Sequence, residues 1–399
     1  MKDVSILQTV YSRLRLTAVF QGTLTSPLIR AFFRFMETPA KSDKLSAYAA
    51  FVSEIYEGGG SLTDVCRRMV FEDENVYVKS YAKGVPVDEN VERAAERELE
   101  TFSLFASLTP EVFASELDEP IDTLPLYRVE KADFVKEYKL RLKEIEKYGY
   151  GIFSSSAMFR LSNCGQLERI ISADEVCMDG FIGYEAERGK VEENTLALLE
   201  GGPSANTLLC GDAGTGKSST VKAIVNRYFD RGLRLIELRK DQLGALPYVM
   251  GKVRGNPLKF IIFIDDLSFQ KSDDNFSMLK AALEGSAAAR ADNAVIYATS
   301  NRRHIVKENF GDREGGDVHR NDTLQETLSL SERFGLVVYY QKPDKKLYLE
   351  IVNRLAERYS LKIGKEELEI KAEAFALKKG NRSARCAEQF IDSLRRLAK

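Results

Sequence analysis

Thr207-Leu-Leu-Cys-Gly-Asp-Ala-Gly-Thr-Gly-Lys-Ser-Ser-Thr220 decides the fold of this chain. Its apolar start, 207–210, reads as a buried strand, and the stretch from Thr220 to Tyr228 reads as a helix. Between them, Gly211, Asp212, Ala213, Gly214, Thr215, Gly216, Lys217 and Ser218 fit the pattern G-x-x-x-x-G-K-[ST], with Ser219 directly after. Glycines let successive backbone N–H groups fold around an anion, and a helix N-terminus adds its positive dipole end. A lysine at this position reaches the β- and γ-phosphates of a nucleotide, and the next hydroxyl faces Mg²⁺. Strand, loop and helix in this order predict a phosphate-binding loop at the carboxyl end of a parallel sheet.

The 399 residues suffice for two or more domains. Hydrophobic residues make up 44% and charged residues 30%, and 58 basic side chains nearly cancel 60 acidic ones. Nucleic acid is therefore a partner that the global charge does not indicate. No apolar run approaches the length of a membrane helix, and the start lacks the apolar stretch of a signal peptide. A cytoplasmic protein without a membrane partner is expected. The five cysteines form no C-x-x-C pair, and His304 and His319 are the only histidines, which excludes a His-rich metal site.

Residues 1–175 read as a mostly helical domain and linker. Val91, Ala95, Leu99, Phe102 and Ala106 recur at helical spacing, as do Phe134, Tyr138, Leu142 and Ile145. Further helices are expected at 5–19, 26–37 and 44–56, with breaks at Gly58-Gly-Gly60 and in the proline-containing stretch 119–125. Residues 176–342 alternate short apolar runs with helical patterns, the mark of a parallel α/β sheet. Its five predicted strands are 207–210, 233–237, 259–264, 294–299 and 335–340, with helices at 217–229, 241–251, 275–289 and 302–308. Residues 343–399 read as a small helical lid, ending in a helix over 382–397.

Four more segments carry chemistry beside the loop. Phe260-Ile-Ile-Phe-Ile-Asp-Asp-Leu267 is a buried strand ending in two acids. The length between it and Lys217 predicts an extra strand between the loop strand and the acidic strand. Asp265 is positioned to orient Mg²⁺, and Asp266 to polarise an attacking water. Ala294-Val-Ile-Tyr-Ala-Thr-Ser-Asn301 ends a strand in an amide that can bond both water and γ-phosphate; on its own it also reads as an Asx turn. Ser329-Leu-Ser-Glu-Arg-Phe-Gly335 offers Arg333 to a neighbouring subunit's phosphate, or to a surface salt bridge. In Gly380-Asn-Arg-Ser-Ala-Arg385, Arg382 and Arg385 share one helical face, and either reaches phosphate from the lid. Arg302-Arg-His304 reads as a solvated helix start, and the polar stretch 310–322 as a surface loop.

The order of these segments resembles an AAA+ ATPase: Walker A, an Asp-Asp Walker B, an Asn sensor, an Arg-Phe finger and a lid arginine. Ile264-Asp-Asp266 and Ser331-Glu-Arg-Phe334 are similar to the replication-initiator and helicase-loader branch. More narrowly, residues 175–397 resemble a family of bacterial AAA+ proteins catalogued as P-loop ATPases of unknown function. The resemblance implies Lys217, Ser218 and Asp265 on phosphate and Mg²⁺, Asp266 on water, Asn301 as sensor 1, Arg333 as finger and Arg385, rather than Arg382, as sensor 2. It also implies that Asp179-Gly-Phe-Ile-Gly-Tyr-Glu185, with Ile182 and Gly183, packs against adenine. Many AAA+ enzymes carry Glu where this chain has Asp266, one methylene shorter. No N/T-K-x-D guanine signature follows the loop, so ATP is the expected nucleotide.

These readings lead to a Mg²⁺-dependent AAA+ ATPase, a homo-oligomer that hydrolyses ATP between subunits and moves a protein partner held by the helical N-terminal domain. An ATP-dependent assembly switch with little turnover is the alternative, kept open by Asp266. A small-molecule P-loop kinase is a third class, for which no acceptor-site cluster is found.

Overall fold

The computed structural model describes residues 5–170, 176–267, 278–280, 283, 291–301 and 333–397. The chain divides into two compact units. Met1–Ser155 with Gly255–Pro257 form the first, and Ser156–Arg254 with Leu258–Lys399 form the second.

The first unit is built from helices whose starts are written in the sequence. Ser5, Ser26, Ser61, Asn75, Asp88 and Asp133 each accept a backbone N–H of the first turn that follows them. Pro27 opens the helix Pro27–Glu37, where its missing N–H costs nothing. The helix Lys41–Glu57 stops at Gly58, as the glycine run predicts. Helix Glu89–Ala106 buries Ala95, Leu99, Phe102, Phe105 and Ala106 on one face. The core is aromatic: Phe32 and Phe105 lie 5.0 Å apart between ring centroids, and Phe51 stacks on Phe113 at 5.3 Å. Such pairs add directional attraction to the area they bury.

The helix expected over 5–19 ends at Leu14. Beyond it the backbone turns to a carboxylate. Glu98, 7% exposed, accepts Ala18 N–H at 2.7 Å, Val19 N–H at 3.0 and 3.1 Å and Phe20 N–H at 2.9 Å. Three backbone donors satisfy a charge that would otherwise be costly to bury. Hydrophobic periodicity cannot reveal this, because the bond partner lies far along the chain.

The second unit holds a seven-stranded sheet: β1 Met158–Leu161, β2 Leu167–Arg169, β3 Thr207–Gly211, β4 Leu233–Leu238, β5 Lys259–Ile264, β6 Ala294–Ser300 and β7 Leu336–Tyr340. The order is β2-β1-β4-β5-β6-β3-β7, parallel throughout except for β1 with β2. All five expected strands are present. The strand standing between the loop strand β3 and the acidic strand β5 is β6, which ends one residue before Asn301. Strands covered on both faces read as unbroken apolar runs, and Phe260 to Ile264 are fully buried.

Two differences from the sequence reading have physical causes. The hairpin β1–β2 extends the five-strand sheet to seven, with Met158 paired to Leu235, so the second unit begins at Ser156 rather than at 176. These strands are too short for a periodic signal; only the turn around Gly165, with φ 80°, marks them. The helix expected over 241–251 is a 3₁₀ segment, Lys240–Ala245, followed by Leu246–Val253. Pro247 fixes the start, since a proline is tolerated only in a first turn. The expected helices 275–289 and 302–308, Arg302-Arg-His304 and the loop 310–322 fall wholly or largely outside the described residues.

Helices Lys345–Arg358, Lys365–Lys379 and Ala384–Leu397 form the lid around Tyr348, Ile351, Val352, Ala372, Phe390 and Ile391. Among the described residues no helix is long and apolar enough to cross a membrane.

Replacing Glu98 by Ala strands three backbone donors, and each hydrogen bond to a charged group is worth about 1.5–3 kcal/mol. Urea unfolding of Glu98→Ala, followed by helical signal, should show the first unit destabilised by about 3 kcal/mol or more. An unchanged midpoint would mean that the carboxylate does not organise residues 18–20.

Candidate functional site

The loop after β3 is held in shape from both sides. Gly211 has φ 142°, and a Cβ there would lie 1.9 Å from the carbonyl oxygen of Tyr340 on β7, so no larger residue fits. Gly214 has φ 78°, and a Cβ there would lie 3.1 Å from Ser383 Oγ and from Arg385 Cβ. The lid therefore approaches the loop backbone directly, and the Arg385 N–H meets the Gly214 carbonyl at 3.4 Å.

Lys217, 5% exposed, starts the helix Lys217–Tyr228. Its ammonium donates to Gly211 O at 2.9 Å, Asp212 O at 2.8 Å and Asn301 Oδ1 at 3.0 Å. Burial pulls the Lys217 pKa below its usual range, opposed by Cys210, Asp212, Asp265 and Asp266. Burial likewise pushes the Cys210 thiol up to about 11, so it stays protonated and packs as an apolar residue. Thr215 Oγ1 bonds Asp212 O at 2.9 Å and rigidifies the loop.

The two acids at the end of β5 take different partners. Asp265 Oδ1 accepts the Ser218 hydroxyl at 2.6 Å, the Thr299 hydroxyl at 2.5 Å and the Asp266 N–H at 3.1 Å. Asp266 has φ 51°, a strained conformation for a residue with a side chain, stabilised by its N–H bond to Thr299 Oγ1 at 2.9 Å. Its Oδ1 accepts Asn301 Nδ2 at 2.7 Å. The Asn301 amide thus joins Lys217 to Asp266, and this pairing assigns its orientation.

These groups line one cavity of about 330 Å³ with Ala213, Gly214, Thr215, Gly216 and Ser219. Its other wall is formed by Gly180, Phe181, Ile182, Tyr184 and Arg188, and by Ile351, Leu355, Ala384, Arg385 and Glu388 of the lid. Gly183 lies behind that wall, where a Cβ would stand 2.7 Å from Leu347. Gly211 and Asp212 do not line the cavity and act through their carbonyls on Lys217. Arg188 bonds the Gly183 carbonyl and sits over the Phe181 ring. Arg358 ties the lid to the wall through Asp179 O at 3.3 Å and Gly180 O at 2.9 Å.

The lid arginines separate clearly. Arg382 is held by Glu373 through two bonds, at 3.1 and 2.9 Å, whereas Arg385 lines the cavity. Arg333 is outside the cavity. The register pairs Thr207 with Leu336 and Gly211 with Tyr340, so Arg333, just before β7, lies at the sheet end opposite the loop. The strand Leu336–Tyr340 that lies between them spans about 13 Å. Sequence reasoning missed Thr299, Arg188, Arg358 and Glu388, whereas Phe181 lay in the segment expected against adenine. Thr299 stood in the quoted sensor strand; the others sit on helices or loops whose approach to the cavity only tertiary structure reveals.

The chemistry available is anion binding on a loop of backbone donors beside hard oxygen groups. Among the described residues no cluster of three or more His, Cys, Asp and Glu forms a metal cage.

No curated protein matches the chain. Among solved structures, the Holliday junction branch migration motor RuvB of Thermotoga maritima is similar at 15% identity and a TM-score of 0.34, over 55% of this chain and 72% of that one. AMPPCP-bound DnaA from Aquifex aeolicus is similar at 18% identity and 0.38, over 57% and 66%. A DNA replication initiation factor is similar at 18% and 0.36, over 55% and 64%. Strand order and motif placement, not these distant likenesses, carry the AAA+ P-loop fold of the second unit. Residues 154–397, more than half of the chain, match the family described as "Protein of unknown function (DUF815)", and the chain belongs to that family.

Proposed function

We propose that the protein binds Mg²⁺-ATP in this cavity and hydrolyses it where subunits of a homo-oligomer meet, to drive a conformational change in a protein partner. The observation that carries the reading is the bonded line Lys217–Asn301–Asp266 beside Ser218–Asp265. It joins an ammonium, an amide and a carboxylate in one cavity, which supports roles in binding phosphate and polarising water.

A divalent ion fits the residues present. Mg²⁺ prefers oxygen donors and is usually held by one or two carboxylates plus substrate phosphates, so no three-residue cage is needed. Ser218 and Asp265 would hold it, and when bound it would neutralise charge on the β- and γ-phosphates. Lys217 binds those phosphates. Asn301 orients a water in line with the γ-phosphorus, and Asp266 takes its proton as the new P–O bond forms. The bond to the ADP oxygen breaks, releasing ADP and phosphate. Arg385 contacts phosphate from the lid, and Ile182 with Phe181 faces the base. Arg333 is too far from its own loop to assist, so it serves a neighbour's γ-phosphate. The first unit carries partner specificity, and the protein works in the cytoplasm.

A second reading is an ATP-dependent assembly switch with little turnover. It is favoured by the short Asp266 side chain, already engaged by Asn301.

Turnover should rise with protein concentration and fall by at least about tenfold in Lys217→Ala and in Arg333→Ala, well within the worth of a finger arginine. Mixing the two variants should restore about a quarter of wild-type turnover, since only some neighbours then combine an intact loop with an intact finger. Full turnover in Arg333→Ala removes the finger role; ATP binding without turnover at any concentration selects the switch.

Arg382 and Arg385 should separate by calorimetry and melting. Arg385→Ala should weaken ATP binding by about tenfold, the worth of one lost charge-assisted contact. Arg382→Ala should leave affinity within about threefold and lower the melting temperature by releasing Glu373. The reverse pattern would move sensor 2 to Arg382.

A further inference from the structure

Three charged side chains line the cavity on the lid and wall side: Arg188, Arg385 and Glu388. Arg188 is engaged with the Gly183 carbonyl and with Glu185 at 3.4 Å. Arg385 stands beside Gly214 and is suited to phosphate. Glu388 is different: a carboxylate at the open rim of a cavity built for an anion, itself exposed, with no hydrogen bond or ion pair to the described residues. It follows Arg385 by one turn on the helix Ala384–Leu397, which carries it away from the loop. Its electrostatic neighbours include Arg358, whose guanidinium reaches Gly180 O at 2.9 Å, so Glu388 belongs to the end formed by Gly180, Phe181 and Ile182. Desolvation and Asp392 push its pKa up, while Arg385 and Arg358 pull it down.

A carboxylate repels phosphate and accepts hydrogen bonds, so its presence fixes which end of a nucleotide lies beside it. We propose that Glu388 reads the nucleoside, accepting a hydrogen bond from a donor on it, either the exocyclic amine of adenine or a ribose hydroxyl. Arg385 and Glu388 then form a two-residue ruler on one helix face, with phosphate at the first and nucleoside at the second. The inference rests on the proposed binding of ATP in this cavity. The apolar lid residues Ile351 and Leu355 line the same cavity. A site built to bond a donor rejects an analogue lacking it far more strongly than an apolar pocket rejects a missing methylene.

The test uses the full chain with Mg²⁺ and calorimetric titration of ATP, 2′-deoxy-ATP, 3′-deoxy-ATP and purine riboside triphosphate, which lacks the amine. Wild type should prefer ATP over at least one analogue by about tenfold or more, a direct hydrogen-bond effect. In Glu388→Ala and in Glu388→Met, similar in length but without a carboxylate or amide acceptor, that preference should fall to within about threefold. Loss of the preference over purine riboside triphosphate assigns the base amine; loss of a deoxy preference assigns the ribose. Unchanged ratios in both variants, or equal affinities in wild type, overturn the inference while ATP binding stands. Absence of ATP binding to wild type overturns the cavity assignment and this inference together.

Discussion

One side-chain amide connects the parts of the cavity. Asn301 accepts the Lys217 ammonium with its oxygen and donates to Asp266 with its nitrogen. This requires β6 to stand between β3 and β5, so that the tip of β6 meets both the loop and the acidic turn. A slip of one residue in β6 would turn Asn301 to the other face. The pairings Leu208–Ala298 and Phe263–Tyr297, inside a sheet buried on both sides, hold that register. At the opposite end Asn194 pins the same strands, donating to Ala205 O at 2.8 Å and to the Tyr297 hydroxyl at 3.0 Å. One amide side chain thus ties the start of β3 to the middle of β6, and another joins the loop to the acidic turn in the cavity.

Much of this was legible in the sequence because it is local. The phosphate loop, the paired acids and the terminal asparagine each sit at the end of an apolar run, and a parallel sheet gathers such ends on one edge. An extra strand between loop and acids was expected too, but it is β6, which follows the acids in the sequence. The length between Lys217 and Asp265 instead holds β4, on the far side of β5. What escaped was short or nonlocal. β1 is held by pairing with β4, and β2 by pairing with β1. Glu98 looks like one more charge on an amphipathic helix, yet its partners are amides some eighty positions away. Thr299 was quoted but given no role, because a threonine in a strand signals packing until Asp265 and the Asp266 N–H are seen around its hydroxyl.

The lid was legible as helices but not as a wall. Helical spacing does not show that Ile351 and Leu355 of Lys345–Arg358 line the cavity, nor that the start of the last helix meets the loop. Arg358 is at the last turn, Ser383 caps the final helix, and Arg385 and Glu388 occupy its first two turns. Arg382 and Arg385 were indistinguishable by spacing. Glu373 separates them, because a bidentate carboxylate partner uses up the guanidinium of Arg382 and fixes it within the lid.

Strand β7 gives the proposed subunit arrangement its geometry. At one end Tyr340 presses its carbonyl so closely on Gly211 that no side chain fits between them. At the other, Arg333 precedes Phe334, which is buried, and Gly335, which packs on Ala205. A strand is short and stiff, so the loop and the arginine are held at a fixed separation along it. On the proposed reading, Arg333 engages a neighbour's nucleotide while Gly211 shapes the loop around the subunit's own. A shift of β7 against β3 would then disturb both sites at once. Coupling between neighbouring sites would follow from the ladder of β3 and β7, without any hinge of its own.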